Sequence, residues 1–229
     1  SSEVRDFSLM HLVCCTPDFV PLFPKTEDLK DGSLVWMKYS NEEEFLLVES
    51  DYYSRIHESQ LGLIKSALLI DYWMDESTLR LIEKELDVMP GDVNQKTDVA
   101  QWLLAASRNI LLYDDVFAEQ HMWAIAELSS KLETLRDRVR HGCKEDLLGL
   151  VRVKHLGRAR ARELAKINIR TPEDFFNMTD KQRKEVVSWR GWGPVLYDKI
   201  FAEVQKVSKN VIKTSKFLDD DTPLEGELN

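Results

Sequence analysis

Two glycine turns in the C-terminal third hold the residues best suited to chemistry. The first runs through Lys154, His155, Leu156, Gly157, Arg158 and Arg160, the second through Arg190, Gly191, Trp192, Gly193 and Pro194. Each reads as a helix, a tight turn and a second helix whose first turn offers backbone N–H groups with no partner inside the helix. Those groups and the positive end of the helix dipole attract an anion, and glycine lets it approach the backbone closely. The chemistry is phosphate binding, and the ligand it implies is nucleic acid held by its backbone. Lys154, His155, Gly157, Arg158, Arg160, Arg190, Gly191, Trp192 and Gly193 are the candidate contacts. His155 either donates to phosphate or merely accommodates the turn. Arg158, Arg160 and Arg162 cannot all face one way on a helix, so at most two reach a strand while another makes an internal pair.

The charge distribution coincides with these turns. Residues 1–141 carry 14 Lys/Arg against 26 Asp/Glu, residues 142–217 carry 17 against 9, and the last twelve carry none against 5. A basic segment in a chain of net charge −9 is an electrostatic footprint for a polyanion, although many helical proteins carry such clusters without binding one.

The elements that must position the turns are helices. Amphipathic patterns span about 41–55, 58–73, 76–86, 91–113 and 117–140, with short breaks at Met74-Asp75 and Met89-Pro90-Gly91 that suit antiparallel packing. Met10 to Cys15 reads as a strand or a first helical turn, and 16–33 as loop. Further helices are expected over 144–151, 158–167, from Thr171-Pro172, over 179–187 and from Pro194 to about Val211; Pro194 suits a first helical position because its missing N–H costs nothing there. The expected fold is all-α: a helical bundle over 1–141, a small helix-hairpin-helix domain over 142–213, and a disordered acidic tail over 214–229.

The pattern from Gly91 to Tyr113 adds a second kind of site. Val93, Ala100, Leu104, Ser107 and Leu111 share one side of the wheel, flanked by Thr97 and Leu103, and make the core face. Trp102 lies about 160° away, aligned with Gln95, Asp98, Ala105, Asn109 and Tyr113. A large aromatic among polar and small residues is either covered by a neighbouring helix or is a platform for an unstacked base, with amides nearby to bond phosphate or base edges.

Other chemistries find little support. His11, Cys14, Cys15, His141 and Cys143 lack the Cys-x-x-Cys spacing of zinc sites, so no metal is expected. Three cysteines make a disulfide framework unexpected. Acidic runs such as Glu42 to Glu44 and Asp219 to Asp221 have no nucleophile pattern beside them and read as solvated faces. No stretch approaches a membrane span and no signal pattern opens the chain, which predicts an intracellular protein without a membrane partner. The opening Ser-Ser suggests an excised fragment.

Several segments resemble one family. Leu9 to Asp18 (LMHLVCCTPD), the Pro90 to Trp102 helix, and His141 through Gly157 to Leu164 (ending LGRARAREL) are similar, in order, to the C-terminal part of archaeal HelQ-like DNA helicases of the Ski-two-like branch of superfamily two. The resemblance implies a ratchet domain and a helix-hairpin domain that act in replication-fork repair. Single-stranded DNA would pass along the 91–113 helix with Trp102 stacking on a base, and the hairpin domain would contact the emerging strand. The implied partners are single-stranded or forked DNA and the ATPase and winged-helix domains upstream in the same protein, in the cytoplasm of an archaeal cell. Where the family has a ratchet arginine, this chain has Gln95 between Asn94 and Lys96, so these three and Asn109 join Trp102 as candidate contacts. No Gly-x-x-x-x-Gly-Lys-Ser/Thr loop and no Asp-Glu-x-His box occurs, so no cofactor is expected in this fragment, and ATP and Mg²⁺ belong to the upstream motor. Two alternatives stand beside this reading: an autonomous double helix-hairpin DNA-binding module, and a protein-binding scaffold of Sec63 type with Trp102 buried at a partner interface.

Overall fold

The computed structural model describes residues 5–39, 58–113 and 115–219. They form eleven α-helices and no strand, the all-α class expected from the periodicity. The chain divides into two compact units at Glu145/Asp146.

In the first unit α1 (Asp6–Cys14), α2 (Leu34–Tyr39), α3 (Glu58–Met74), α4 (Leu79–Leu86), α5 (Pro90–Tyr113) and α6 (Asp115–His141) surround one core. At its centre is α3, whose Leu61, Ile64, Ala67, Leu69, Ile70 and Met74 are at most 2% exposed. A helix apolar on most of its faces is stable only when neighbours cover it, and each such Leu or Ile contributes about 1.5–3 kcal/mol by leaving water. The loop before α2 lies directly on it. The Leu22 N–H donates to Ser66 Oγ at 2.8 Å, and a Cβ on Gly62 would stand 2.3 Å from the Leu22 carbonyl oxygen, so only glycine admits the chain there. Lys65 donates to Asp28 Oδ2 at 2.6 Å, and the indole N–H of Trp73 donates to the Val139 carbonyl at 2.8 Å, tying α3 to α6.

Several local outcomes differ from the sequence reading. Of the two readings of Met10 to Cys15 the helical one holds, Met10 to Cys14 ending α1 and Cys15 forming its C-cap. Leu34–Tyr39 forms a helix that the periodicity does not predict; the Ser33 hydroxyl accepts from the Trp36 N–H and starts it. α4 begins at Leu79 because Glu76 adopts φ +67° and Thr78 caps the helix by accepting from the Leu81 N–H. The pattern at 41–55 lies outside the described residues.

The second unit contains α7 (Leu148–Val151), entered through a 3-10 turn, then α8 (Arg158–Lys166), α9 (Pro172–Phe176), α10 (Asp180–Ser188) and α11 (Pro194–Asp219). Thr171 with Asp174 and Thr179 with Gln182 form capping boxes that start α9 and α10. The small core includes Leu150, Leu156, Ala161, Leu164, Phe175, Val186, Ile200 and Val204. Phe175 stacks on Tyr197 at 5.2 Å. α11 continues to Asp219, past position 213 where the helical domain is expected to end, and 220–229 lie outside the described residues.

Candidate nucleic-acid interface

Long α5 presents two faces. Val93, Thr97, Ala100, Leu103 and Leu104 are buried against the first unit's core. On the far side Trp102 is 57% exposed, so no described helix of this unit covers it. Asn94, Gln95, Asp98 and Asn109 are exposed on the same side, and Ala105 and Ala106 are half-buried. Trp102 therefore offers its ring to solvent over a shallow strip of small residues. The carboxylate of Asp98 sits between Gln95 and Trp102, which makes this face a place for stacking and amide hydrogen bonds rather than a cationic one.

Lys96 departs from the expected group. It is 5% exposed, and its ammonium donates to the Val20 carbonyl at 2.7 Å and to Gln95 Oε1 at 3.4 Å. Burial lowers its pKa, with Asp92 acting the other way. A long apolar stem can run inward when a carbonyl waits for its head. Lys96 thus anchors the loop before α2 from inside and is not on the face that carries Trp102.

The second unit places both glycine turns. In the first, the residue with a left-handed backbone is His155, at φ +71°, while Gly157 sits at φ −79° as N-cap of α8. No side chain caps that helix, and a Cβ on Gly157 would meet nothing within 4 Å. Neither backbone angle nor packing within the chain requires glycine there; what it leaves is open space before the first turn of α8. Lys154 and His155 are exposed around it. In the second turn the glycines are conformational, Gly191 at φ +82° and Gly193 at +129°, and the Trp192 N–H closes the turn on the Trp189 carbonyl at 3.1 Å. Pro194 opens α11 at its first position, as its missing N–H predicts.

The arginines divide as their spacing requires. Arg162 makes the internal pair, donating through both terminal nitrogens to Asp146 at 2.8 and 2.9 Å. Arg160 bridges the two turns, its Nη1 donating to the His155 carbonyl and its Nη2 to the Gly191 carbonyl, each at 3.3 Å. Arg158 is half-buried and Arg190 exposed. Trp192 is fixed by its indole N–H donating to Glu163 at 3.0 Å and by an edge-on contact with Trp189, ring centroids 6.1 Å apart. Spacing alone does not announce the bridge by Arg160, because its two acceptors belong to separate turns.

No group of three His, Cys, Asp or Glu side chains that could hold a metal occurs among the described residues. Burial instead shapes His11 and its neighbours: desolvation lowers the imidazole pKa to about 4 and raises the Cys14 and Cys15 thiols. Among the described residues no helix is long and apolar enough to cross a membrane.

The family model described as archaeal helicase, domain 4, matches residues 7–142, from α1 through α6. The chain belongs to that family. Beyond the archaeal helicase domain 4 segment, similarity to relatives continues into the second unit. The chain is 27% identical over 214 residues to the ATP-dependent DNA helicase Hel308 of Pyrococcus horikoshii, covering 93% of this chain and 28% of that protein. The Hel308 of Methanocella arvoryzae is 29% identical over 167 residues, 71% of this chain and 20% of its own length. That of Thermococcus kodakarensis is 28% identical over 180 residues, 79% and 15%. The chain spans well under a third of the length of these relatives.

Proposed function

We propose that this chain is the strand-gripping, non-motor region of an ATP-dependent DNA helicase that acts at damaged replication forks. Single-stranded DNA runs along the outer face of α5, where Trp102 stacks on a base and the amides of Gln95, Asn94 and Asn109 bond backbone or base edges. The glycine turns hold the strand's backbone, with Lys154, Arg158 and Arg190 as cations, His155 as a hydrogen-bond donor and the first turn of α8 as a backbone cradle. ATP and Mg²⁺ act in motor domains outside this chain, in the cell interior, and the α5 face converts their cycle into steps along the strand.

The observation that carries the reading is Trp102, a large aromatic left 57% exposed on a long helix whose opposite face packs into the core. Stacking on such a ring is worth about 1–3 kcal/mol per base and tolerates any sequence, as a translocating grip requires. The similarity to proteins named ATP-dependent DNA helicase supports the same assignment. The test is quenching of tryptophan fluorescence by single-stranded DNA. Because the chain holds six tryptophans, the readout is the part of the quench that Trp102→Ala removes. An unaltered quench with unaltered affinity in that variant sinks the assignment.

Met122 and Trp123, 66% and 85% exposed on α6, favour a second reading in which this unit docks another protein surface. Loss of partner-domain binding in Trp123→Ala, with DNA affinity intact, would support it.

A further inference from the structure

Resting on the reading of Trp102 as a base platform, we infer that Tyr113 is a second stacking position for the same single strand. Tyr113 lies eleven residues beyond Trp102 on α5, which separates the two side chains by about 16.5 Å along the helix axis but only about 20° around it. The ring is 82% exposed, so it takes no part in the core, and it belongs to the same stripe as Gln95, Trp102 and Asn109. Singly exposed aromatics are ordinary on protein surfaces. A pair returning to one line after three helical turns, with small Ala105 and Ala106 and an exposed carboxamide between them, matches an extended polymer lying along the helix.

The spacing suits a nucleic acid strand. At the stacked repeat of about 3.4 Å per nucleotide the two rings are about five nucleotides apart, and fewer on a more extended strand. Asn109, about 10.5 Å beyond Trp102, supplies both a donor and an acceptor for the segment between them. Tyrosine brings a flat ring with few side-chain torsions to immobilise, so the stack orders little on binding. The strand then contacts α5 from Gln95 to Tyr113, about 27 Å, and Trp102 is the middle of the track rather than its end.

The experiment measures affinity for an oligothymidylate of about twelve nucleotides and for an abasic strand of equal length, by fluorescence anisotropy on the whole chain. Tyr113→Ala is expected to weaken oligothymidylate binding by about 5- to 150-fold, the loss of one stacked base, and to leave the abasic strand unaffected. Tyr113→Phe is expected to bind as the unaltered chain does. Normal binding by Tyr113→Ala, alongside a loss in Trp102→Ala, overturns the second position while leaving the first. No loss in either variant overturns both. An equal loss on the abasic strand, or a Phe variant as weak as the Ala one, assigns Tyr113 to backbone or hydroxyl contact and refutes stacking.

Discussion

Gln95→Arg places a cation where the family resemblance implies one, and its effect is calculable. Gln95 is exposed, seven residues and about 10.5 Å before Trp102 on the same side of α5. A charged donor to phosphate contributes about 1 kcal/mol more than a neutral amide, or about fivefold in affinity. Two neighbours modify this. The Lys96 ammonium, now 3.4 Å from Gln95 Oε1, repels a guanidinium and turns it toward solvent. Asp98, three residues on, competes for it with about 0.2–0.5 kcal/mol, leaving a net gain of about threefold. Each phosphate contact on a single strand adds about 0.7 to the slope of log affinity against log salt, so the advantage shrinks by about 2.6-fold between about 50 and 200 mM. The expected result is a variant binding about threefold more tightly at low salt and equally at high salt, read by anisotropy of a labelled oligothymidylate across a salt series. Parallel salt slopes would show that no phosphate passes Gln95 and would refute a backbone contact at this position.

Two predictions concern stability. Desolvation, with Asp75 nearby, raises the Asp71 carboxyl to about 6, so its contribution is fully present below the unfolded value near 3.8 and is lost as pH rises through 6. Asp71→Asn should therefore gain stability relative to the unaltered chain between about pH 4 and 7, by up to about 3 kcal/mol in urea unfolding, and a pH-independent difference would contradict this. Lys65→Met leaves Asp28 without its 2.6 Å partner and should cost about 3–5 kcal/mol, whereas adding Asp28→Asn should recover part of that loss; costs that simply add would show that the two side chains are not coupled.

Much of this architecture is legible in the sequence because helical periodicity and caps are local. α5 opens at Pro90 and α11 at Pro194, where proline belongs at a first turn, and the separation of Trp102 from the buried Val93, Ala100 and Leu104 follows from the wheel alone. Short elements are harder. α2 has six residues and no room for a period to show, and α4 starts late because of a left-handed Glu76 that no propensity announces. Within the candidate site, the residue that periodicity misplaces is Lys96. A lysine beside a glutamine on an amphipathic helix reads as surface, and only the fold brings Val20, 76 positions away, to meet its ammonium. The same holds for Arg160, whose acceptors sit in two separate turns. The one signal available is arithmetic: three arginines at alternate positions cannot all face outward, and Arg162 with Asp146 satisfies that constraint.

The buried ammonium of Lys96 has a mechanical consequence. A cylinder packed only through greasy side chains can roll in its groove, since the dispersion attraction given up on one flank is recovered on the other. Lys96 acts as a key in that groove: turning α5 about its axis would break the 2.7 Å bond from its ammonium to the Val20 carbonyl. Val20 in turn belongs to the segment pinned to α3 through Leu22 and Ser66. A sideways push on the Trp102 ring is therefore delivered as torque to the centre of the domain instead of being dissipated as rotation of one helix.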